Sequence, residues 1–245
     1  MEPPNLLVLQ NAPWEGPGLI AEYASASGVK LTIAEMFAKK PVIPFEKLER
    51  GAFAAAVGLG SPSTAYRPET NPNHREMVEL FRLTRRLKVP SFNICYSMQL
   101  FAVAHGGRVI KNPAGKEVGL FEVVPTSEGE RDPVLAGIGR HVTLEWHGDI
   151  VERLPPGADL LASSKMTKNQ VAVLDRIHYM VQGDGQAATP SMVRSWMRRD
   201  SKWALEGTGL DKSRLLRAIA RNEAYLRNTY LRIFGNFLGI VLTAP

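Results

Sequence analysis

The sequence predicts an α/β protein with a mostly parallel central sheet flanked by helices. Three observations lead to this prediction. Short apolar runs alternate with amphipathic helical stretches across residues 1–110, strand-like runs then follow one another with little helix between them, and the last quarter has helical periodicity. We therefore expect an antiparallel elaboration at one edge of the sheet and a helical annex at the C-terminal end.

The predicted parallel half begins with the apolar run Leu6–Leu9, which is typical of a buried strand. A helix is expected from Leu19 up to Gly28, and Asn73 is the expected N-terminal cap of a second helix. A third helix is expected to begin at Cys95. Further strands are predicted at residues 29–34, 54–58 and 89–94.

In the second half, short strands are predicted at residues 108–110, 118–124, 141–146, 160–162, 171–174 and 177–182. Thr189 is a good helix cap and Pro190 suits the first helical position. Asp211 is the expected cap of the next helix. We predict one α/β domain over residues 1–188, with residues 189–245 forming a helical extension packed on it.

The composition predicts a reduced, globular protein. The chain has 245 residues, of which 44% are hydrophobic and 22% charged, and this excludes a disordered tail, a fibrous protein and a charge-rich coiled coil. The single cysteine, Cys95, excludes an internal disulfide and a multi-cysteine zinc site. No apolar run reaches the ~18 residues of a membrane span, and the start does not resemble a signal peptide. We expect a cytoplasmic protein without membrane contact.

The net charge of +6 arises entirely after residue 186, where the sequence has ten basic and four acidic residues. A basic helical segment can attract an acidic partner or nucleic acid. Here the basic residues are spread out and no nucleic-acid motif accompanies them. We expect ordinary solvated helix faces and no nucleic-acid partner.

The segment 89–100 carries the candidate chemistry, because a buried strand runs straight into a helix and Cys95 stands at the junction. This is the arrangement of a nucleophile elbow, in which a sharp turn lifts the side chain out of the sheet. The helix N-terminus is expected to favour the thiolate. The competing interpretation is a small buried hydrophobic side chain. We favour Cys95 as a nucleophile.

Several segments in order resemble the class I glutamine amidotransferases, particularly stand-alone members similar to the glutaminase domain of GMP synthetase. Ala54–Pro62 resembles the family's strand and Gly-Ser-Pro loop, and Val89–Gly107 resembles its elbow, helix and closing Gly-Gly. Residues 146–149 (Trp-His-Gly-Asp) and the strand 179–182 also fit. The resemblance covers nearly the whole chain and implies a flavodoxin-like fold.

In that family a cysteine attacks the glutamine carboxamide, forms a glutamyl thioester and releases ammonia. The resemblance implies that Cys95 is the nucleophile and that backbone N–H groups of Gly60 and Tyr96 hold the oxyanion. Further substrate-binding candidates implied by it are Ser61, Asn93, Ser97, Gln99, Gln182 and Gln186.

The chain departs from the family at the proton-transfer residues. The family strand ends in a histidine followed two residues later by a glutamate, whereas this chain has Asp184 and Gln186. Asn93 and Ser97 replace the glycines that flank the cysteine, and we expect their side chains to narrow or re-line the pocket.

Three residues are candidates for the general base that would replace the family's histidine. Asp184 with the ordinary aspartate pKa of ~3.9 is a weak base toward a thiol of ~8.5. His147 is the better histidine candidate, although a structural role beside Asp149 is favoured. His178 precedes Asp184 by six residues, about 20 Å along a strand, which is too far for proton transfer. Glu145, His147 and Asp149 alternate, but we expect no metal and no cofactor.

Three functions remain open. We favour an enzyme that uses Cys95, with Asp184 or His147, in altered chemistry on a small molecule: hydrolysis, lysis or transfer at a C–N or thioester-like centre in a specialised pathway. The second is a glutaminase with an unorthodox base that supplies ammonia to a partner enzyme. The third is an inactive binding protein. The sequence leaves the oligomeric state open.

Overall fold

A nine-stranded sheet forms the centre of the protein. The computed structural model describes residues 3–243. In chain order the strands are β1 (Asn5–Gln10), β2 (Lys30–Glu35), β3 (Ala55–Gly58), β4 (Ser91–Ile94), β5 (Arg108–Lys111), β6 (Glu117–Pro125), β7 (His141–His147), β8 (Asp149–Arg153), β9 (Asp159–Ser163), β10 (Val171–Leu174) and β11 (His178–Val181). The α-helices are α1 (Leu19–Ala26), α2 (Phe45–Glu49), α3 (His74–Arg86), α4 (Tyr96–Ala104), α5 (Ser127–Arg131), α6 (Pro190–Leu205) and α7 (Lys212–Thr243).

The sheet has the order β2-β1-β3-β4-β11-β10-β9-β6-β7. Neighbours from β2 to β11 pair in parallel, and every pair from β11 to β7 is antiparallel. This confirms the predicted parallel sheet with an antiparallel edge. β5 and β8 form a separate two-stranded sheet, so the predicted strand near residue 108 does not join the main one.

The parallel strands place one set of loops at one edge of the sheet. β1, β3, β4 and β11 run in the same direction, and their carboxyl ends therefore meet there. The segments that follow these four ends contain Glu15, Gly60, Cys95 and Asp184 respectively. Residues far apart in sequence thus come together at the edge where open α/β sheets bind ligands.

Alternating strand residues bury both faces of the sheet. Leu6 and Val8 belong to one buried cluster, whereas Leu7 and Leu9 belong to the cluster on the other face. Helices cover both faces, because a parallel sheet is apolar on both sides. α7 covers the first face, where the ring of Phe234 lies 5.7 Å from that of Phe92.

The C-terminal helices pack on the sheet. Trp196 of α6 meets Trp146 of β7 edge-to-face at 5.6 Å between ring centroids. Two residues at each end of the chain lie outside the described range, so the ends of the predicted segments 1–188 and 189–245 are not described, and this division stays a prediction. Among the described helices, α7 included, none is long and apolar enough to cross a membrane.

One of two predicted helix caps forms as expected and the other does not. Thr189 caps α6 as expected, since its Oγ1 accepts a hydrogen bond from the Met192 N–H at 3.3 Å. Asn73 occupies the N-cap position of α3, but its side chain does not cap the helix. Its amide instead donates to the carbonyl oxygens of Met36, at 2.6 Å, and Ala38, at 3.0 Å. A competing tertiary hydrogen bond thus replaces the local one.

Replacing Thr189 with alanine is expected to lower the free energy of unfolding by about 1 kcal/mol, because the Met192 N–H loses its partner at the first turn of α6. Chemical denaturation measures the change. Thr189→Ser keeps a hydroxyl and serves as the control. An alanine variant as stable as the parent would show that this cap contributes nothing.

Candidate active site

Cys95 stands in a strained turn between β4 and α4. Its backbone has φ 50° and ψ −112°, which a residue with a side chain rarely adopts. Its N–H donates to the Val181 carbonyl of β11 at 2.8 Å, so the turn is held against the neighbouring strand. The side chain is 7% exposed and lines a pocket of about 340 Å³. The strand–turn–helix geometry of a nucleophile elbow is therefore present.

The side chains beside the elbow point away from the pocket. The Asn93 amide donates to Ser91 Oγ at 2.9 Å and to the Tyr179 carbonyl at 3.2 Å. Ser97 Oγ donates to the Leu59 carbonyl at 2.6 Å. This corrects the expectation that Asn93 and Ser97 narrow the pocket or bind substrate, because both are fully buried in bonds that hold the turn.

Gly60 lies where the carboxyl groups of Glu15 and Asp184 come close to Cys95. A Cβ atom built on Gly60 would lie 2.5 Å from Glu15 Oε2, 3.3 Å from Asp184 Oδ1 and 3.7 Å from Cys95 Cβ. Tyr96 is the first residue of α4, where a backbone N–H has no partner within the helix. Gly60 and the first backbone N–H of α4 are therefore both close to Cys95 in the fold.

Asp184 lies just beyond the end of β11 and is buried. Its N–H donates to the Leu144 carbonyl at 2.8 Å, and the Gln186 amide donates to its Oδ1 at 3.2 Å. Burial, and then the nearby Glu145 carboxylate, raise the pKa of Asp184 to about 7. This corrects the expectation of an ordinary aspartate pKa, because the carboxyl is suited to proton transfer near neutral pH.

The thiol of Cys95 is held in its neutral form. Burial raises its pKa well above the ordinary value, and the charges of Asp184 and Glu15 raise it further. Burial and the charge of Asp184 also raise the pKa of Glu15. The expected thiolate at the helix N-terminus is therefore wrong for the free protein, since burial and neighbouring carboxylates outweigh the helix dipole.

His147 lies between two buried carboxylates. Its Nε2 is 3.2 Å from Glu117 Oε2 and 3.1 Å from Glu145 Oε2, and its Nδ1 is 3.1 Å from the Asp149 carbonyl. Burial lowers the pKa of His147, but the two carboxylates outweigh burial and raise it to about 10. The ring is thus an imidazolium whose Nε2 lies at ion-pair distance from both carboxylates and whose Nδ1 is hydrogen-bonded. This corrects the proposal of His147 as a proton acceptor.

Gln99, Gln182 and Ser61 occupy the surroundings of the pocket. Ser61 and Gln99 line it. The Gln99 amide donates to the Asp149 carbonyl at 2.9 Å and to Gln182 Oε1 at 3.3 Å, and Gln182 is fully buried behind it. Gln182 and Gln186 therefore support the lining and Asp184, rather than facing the pocket.

Other pocket residues were missed by the sequence analysis. The side chains that share an acidic or aromatic character in the lining are Glu15, Asp149, Asp200, Trp146, Trp196 and Trp203. Three of these come from α6 and one from the end of β7, and Glu15 follows β1. Glu15 could have been predicted as a pocket residue, because it follows a parallel strand at the sheet edge where ligands bind. The contribution of α6 depends on tertiary packing.

The structure separates the three residues that alternate at 145–149, and it places His178 away from Asp184. β7 ends at His147 and β8 begins at Asp149, so Glu145, His147 and Asp149 do not share one strand. Within residues 3–243 no group of three or more His, Cys, Asp or Glu is placed to hold a metal ion. His178 begins β11, at the opposite end of that strand from Asp184, and its ring contacts Ser91 Oγ at 3.0 Å.

Replacing Gly60 with alanine is expected to lower turnover by about 10²-fold, because the added Cβ displaces Glu15 and Asp184 from the thiol. Steady-state kinetics of the wild-type protein and the variant measures the effect. Gly16→Ala is the matched control, since a Cβ there meets nothing within 4 Å. Equal loss in both variants would contradict the role assigned to Gly60.

Comparisons with known proteins point to one family. A family model described as glutamine amidotransferase class-I matches residues 19–182. The chain is 34% identical over 105 residues to a subunit of the glutamine-hydrolyzing GMP synthase of Natronomonas pharaonis, a match that covers 42% of this chain and 55% of that protein. It is 31% identical over 129 residues to the glutamine-hydrolyzing GMP synthase of Carboxydothermus hydrogenoformans, covering 51% of this chain and 22% of that protein.

Solved structures share the fold. A glutamine amidotransferase of Thermotoga maritima superposes with a TM-score of 0.83 at 20% identity, covering 96% of this chain and 97% of that one. A glutamine amido transferase of Methylobacillus flagellatus gives 0.83 at 21% identity, covering 98% and 95%. The sequence matches span about half or less of the length of the curated relatives, and the family match ends two residues before Asp184.

Proposed function

The chain belongs to the class I glutamine amidotransferase family, and from this premise we propose that it is an enzyme in which Cys95 attacks a small molecule while Asp184 carries the proton. The proposed reaction is hydrolysis, lysis or transfer at a C–N or thioester-like centre. Asp184 takes the place that the resemblance gives to histidine. The observation that carries the proposal is the buried Asp184 carboxyl, with a pKa of about 7, beside Cys95 at the floor of the pocket.

For an amide, the proposed reaction begins as the Cys95 proton passes to the Asp184 carboxylate and the sulfur bonds to the carbonyl carbon. The carbonyl oxygen becomes an oxyanion beside the N–H groups of Gly60 and Tyr96. The C–N bond then breaks, and the leaving nitrogen takes the proton from Asp184. Water attacks the thioester, Asp184 accepts its proton, and the sulfur leaves and is reprotonated.

Gln186 is a positioning residue in this proposal. Its amide donates to Asp184 Oδ1 at 3.2 Å. That bond fixes the carboxyl next to Cys95 and leaves the second oxygen for the thiol proton. Gln186 thus orients Asp184. In the family pattern that the sequence resembles, a glutamate orients the catalytic histidine in the same way.

A second candidate is glutamine hydrolysis with transfer of ammonia to a partner enzyme. The names of the curated relatives, which are glutamine-hydrolyzing GMP synthases or a subunit of one, favour it. It uses the same nucleophile and the same proton carrier. In both candidates we place the enzyme in the cytoplasm, and the first candidate acts in specialised metabolism. The second candidate also needs a partner enzyme that uses the ammonia.

Turnover of three probes separates the candidates. Wild-type protein is incubated with L-glutamine, acetamidine and an N-acetylcysteamine thioester, and released ammonia or thiol is measured. We expect turnover of at least one probe and none by Cys95→Ser, which keeps the size of the side chain. Turnover of glutamine alone supports the second candidate. Unchanged activity in Cys95→Ser would contradict the role of Cys95 as nucleophile, and no turnover of any probe would support the inactive binding protein instead.

A further inference from the structure

We propose that the substrate presents a cationic carbon–nitrogen centre, an amidinium or guanidinium, to Cys95. This inference rests on the proposed function and names the substrate class of the same site. It concerns the charge of the reacting group, which a neutral carboxamide does not have. Three features of the pocket support it: the convergence of carboxyl groups on the thiol, the shortage of free cations in the lining, and the aromatic walls.

The carboxyl groups converge on the reacting atom rather than on the rim. Glu15 Oε2 and Asp184 Oδ1 both approach Gly60, the residue beside Cys95. Asp149 and Asp200 add two more acidic side chains to the lining. A neutral group bound at this point leaves these carboxyl groups without a cationic partner. A planar cation with several N–H groups can donate to two carboxylates at once.

Nearby cations are already engaged. His147 is the one cationic side chain in the described lining, and the carboxylates of Glu117 and Glu145 flank it. Lys116 Nζ donates to the Trp203 carbonyl at 2.6 Å. The Arg199 guanidinium lies over the Trp14 ring at 4.5 Å. The pocket therefore keeps a negative potential that a cationic ligand would neutralise.

Aromatic side chains complete the walls. Trp146, Trp196 and Trp203 line the pocket together with Tyr96. Indole faces attract planar cations, with guanidinium among the best partners. The combination of carboxylates and indoles is thus suited to a delocalised cation.

The indole N–H of Trp146 is a buried donor in a residue of the pocket lining. Trp146 is 8% exposed and lines the pocket, yet its Nε1 has no hydrogen-bond partner among the described residues. Buried donors of this kind are normally paired.

A cationic substrate would also activate the nucleophile. Its charge beside Cys95 and Asp184 favours the ionised form of both groups. For an amidinium, the thiol proton passes to Asp184 and the sulfur bonds to the amidinium carbon, while the C=N electron pair moves to nitrogen. Asp184 returns the proton to one amino group, the C–N bond breaks and ammonia leaves. Water then displaces the sulfur, so that amidinium and water become amide and ammonium.

Two alkylating reagents that differ in charge test the inference. The full-length protein is treated with 2-chloroacetamidine or with neutral 2-chloroacetamide, which share the same reactive carbon. Mass spectrometry follows labelling of Cys95, the single cysteine of the chain. Glutathione gives the intrinsic ratio of the two rates. We expect the protein's preference for the amidine to exceed that of glutathione by about tenfold or more, the change produced by one unit of thiol pKa.

The variants locate the effect. Glu15→Gln and Asp184→Asn are expected to bring the ratio toward that of glutathione. Glu35→Gln removes a charge at the exposed end of β2 and is expected to keep the wild-type ratio. Labelling of Cys95 by both reagents with the glutathione ratio would overturn the inference, and turnover of L-glutamine or of the thioester probe would still support the proposed function. No labelling of Cys95 by either reagent would overturn the inference, and no turnover of the three probes in addition would remove support for the proposed function.

Discussion

Replacing Asp184 with asparagine is expected to lower turnover by about 10²- to 10⁴-fold, the usual contribution of a proton-transfer group. The amide keeps the size of the side chain and an oxygen for the Gln186 donor, but it cannot accept the thiol proton. Since the pKa of Asp184 is about 7, kcat/KM of the wild type should rise as the pH increases through that value. Steady-state kinetics across this pH range checks both expectations, and the rising limb should disappear in the variant.

The same substitution is expected to change thiol chemistry in the opposite direction. The charge of Asp184 is one of the causes that raise the pKa of Cys95. Without it, Cys95 should react faster with neutral chloroacetamide, even as catalysis falls. Asp159→Asn, at the start of β9, is the control for loss of one aspartate. If Asp184→Asn kept full turnover, or slowed neutral alkylation, Asp184 would not be the proton carrier beside the thiol.

Replacing His147 with glutamine is expected to lower the free energy of unfolding by about 3–5 kcal/mol, the usual cost of breaking a buried ion pair by removing one partner. The imidazolium lies 3.2 Å from Glu117 Oε2 and 3.1 Å from Glu145 Oε2, and all three side chains are buried. Without it, two carboxylates face each other in the interior. Urea denaturation at neutral pH measures the loss.

A second variant and a pH series identify the cause. Glu145→Gln added to the His147 variant removes one of the two facing charges and should recover part of the stability. The folded pKa of His147, about 10, is above its ordinary value of 6.5. Its stabilising contribution is therefore complete below pH 6.5 and is lost as the pH rises toward 10. A His147→Gln protein as stable as the parent, with the same pH dependence, would contradict this account.

Periodicity and turn chemistry sufficed for the elements that carry the site. Strand β4 and helix α4 follow from a buried apolar run that enters a helix at Cys95, and the cap at Thr189 follows from its hydroxyl and the adjacent proline. The resemblance to the class I glutamine amidotransferases then placed Asp184 at the end of β11. These features depend on local sequence, which is why the sequence predicts them.

Protonation states depend on neighbours that local sequence does not reveal. The helix N-terminus at Cys95 suggests a thiolate, but Glu15 and Asp184 arrive from the ends of other strands and reverse that expectation. Asn73 has the chemistry of a cap, yet the carbonyl of Met36 captures its amide. The α6 side chains in the pocket are defined only by how that helix packs across the end of β7.

The titration of the Cys95 thiol tests the central claim most directly. Because the chain has one cysteine, the ultraviolet absorbance of the thiolate, corrected with Cys95→Ser, reports this residue alone. We predict that the ligand-free protein forms no thiolate at neutral pH and titrates well above the ordinary thiol pKa, and that Asp184→Asn shifts the midpoint downward. A thiolate already present at pH 7, unaffected by Asp184→Asn, would contradict an acid pair of Cys95 and Asp184.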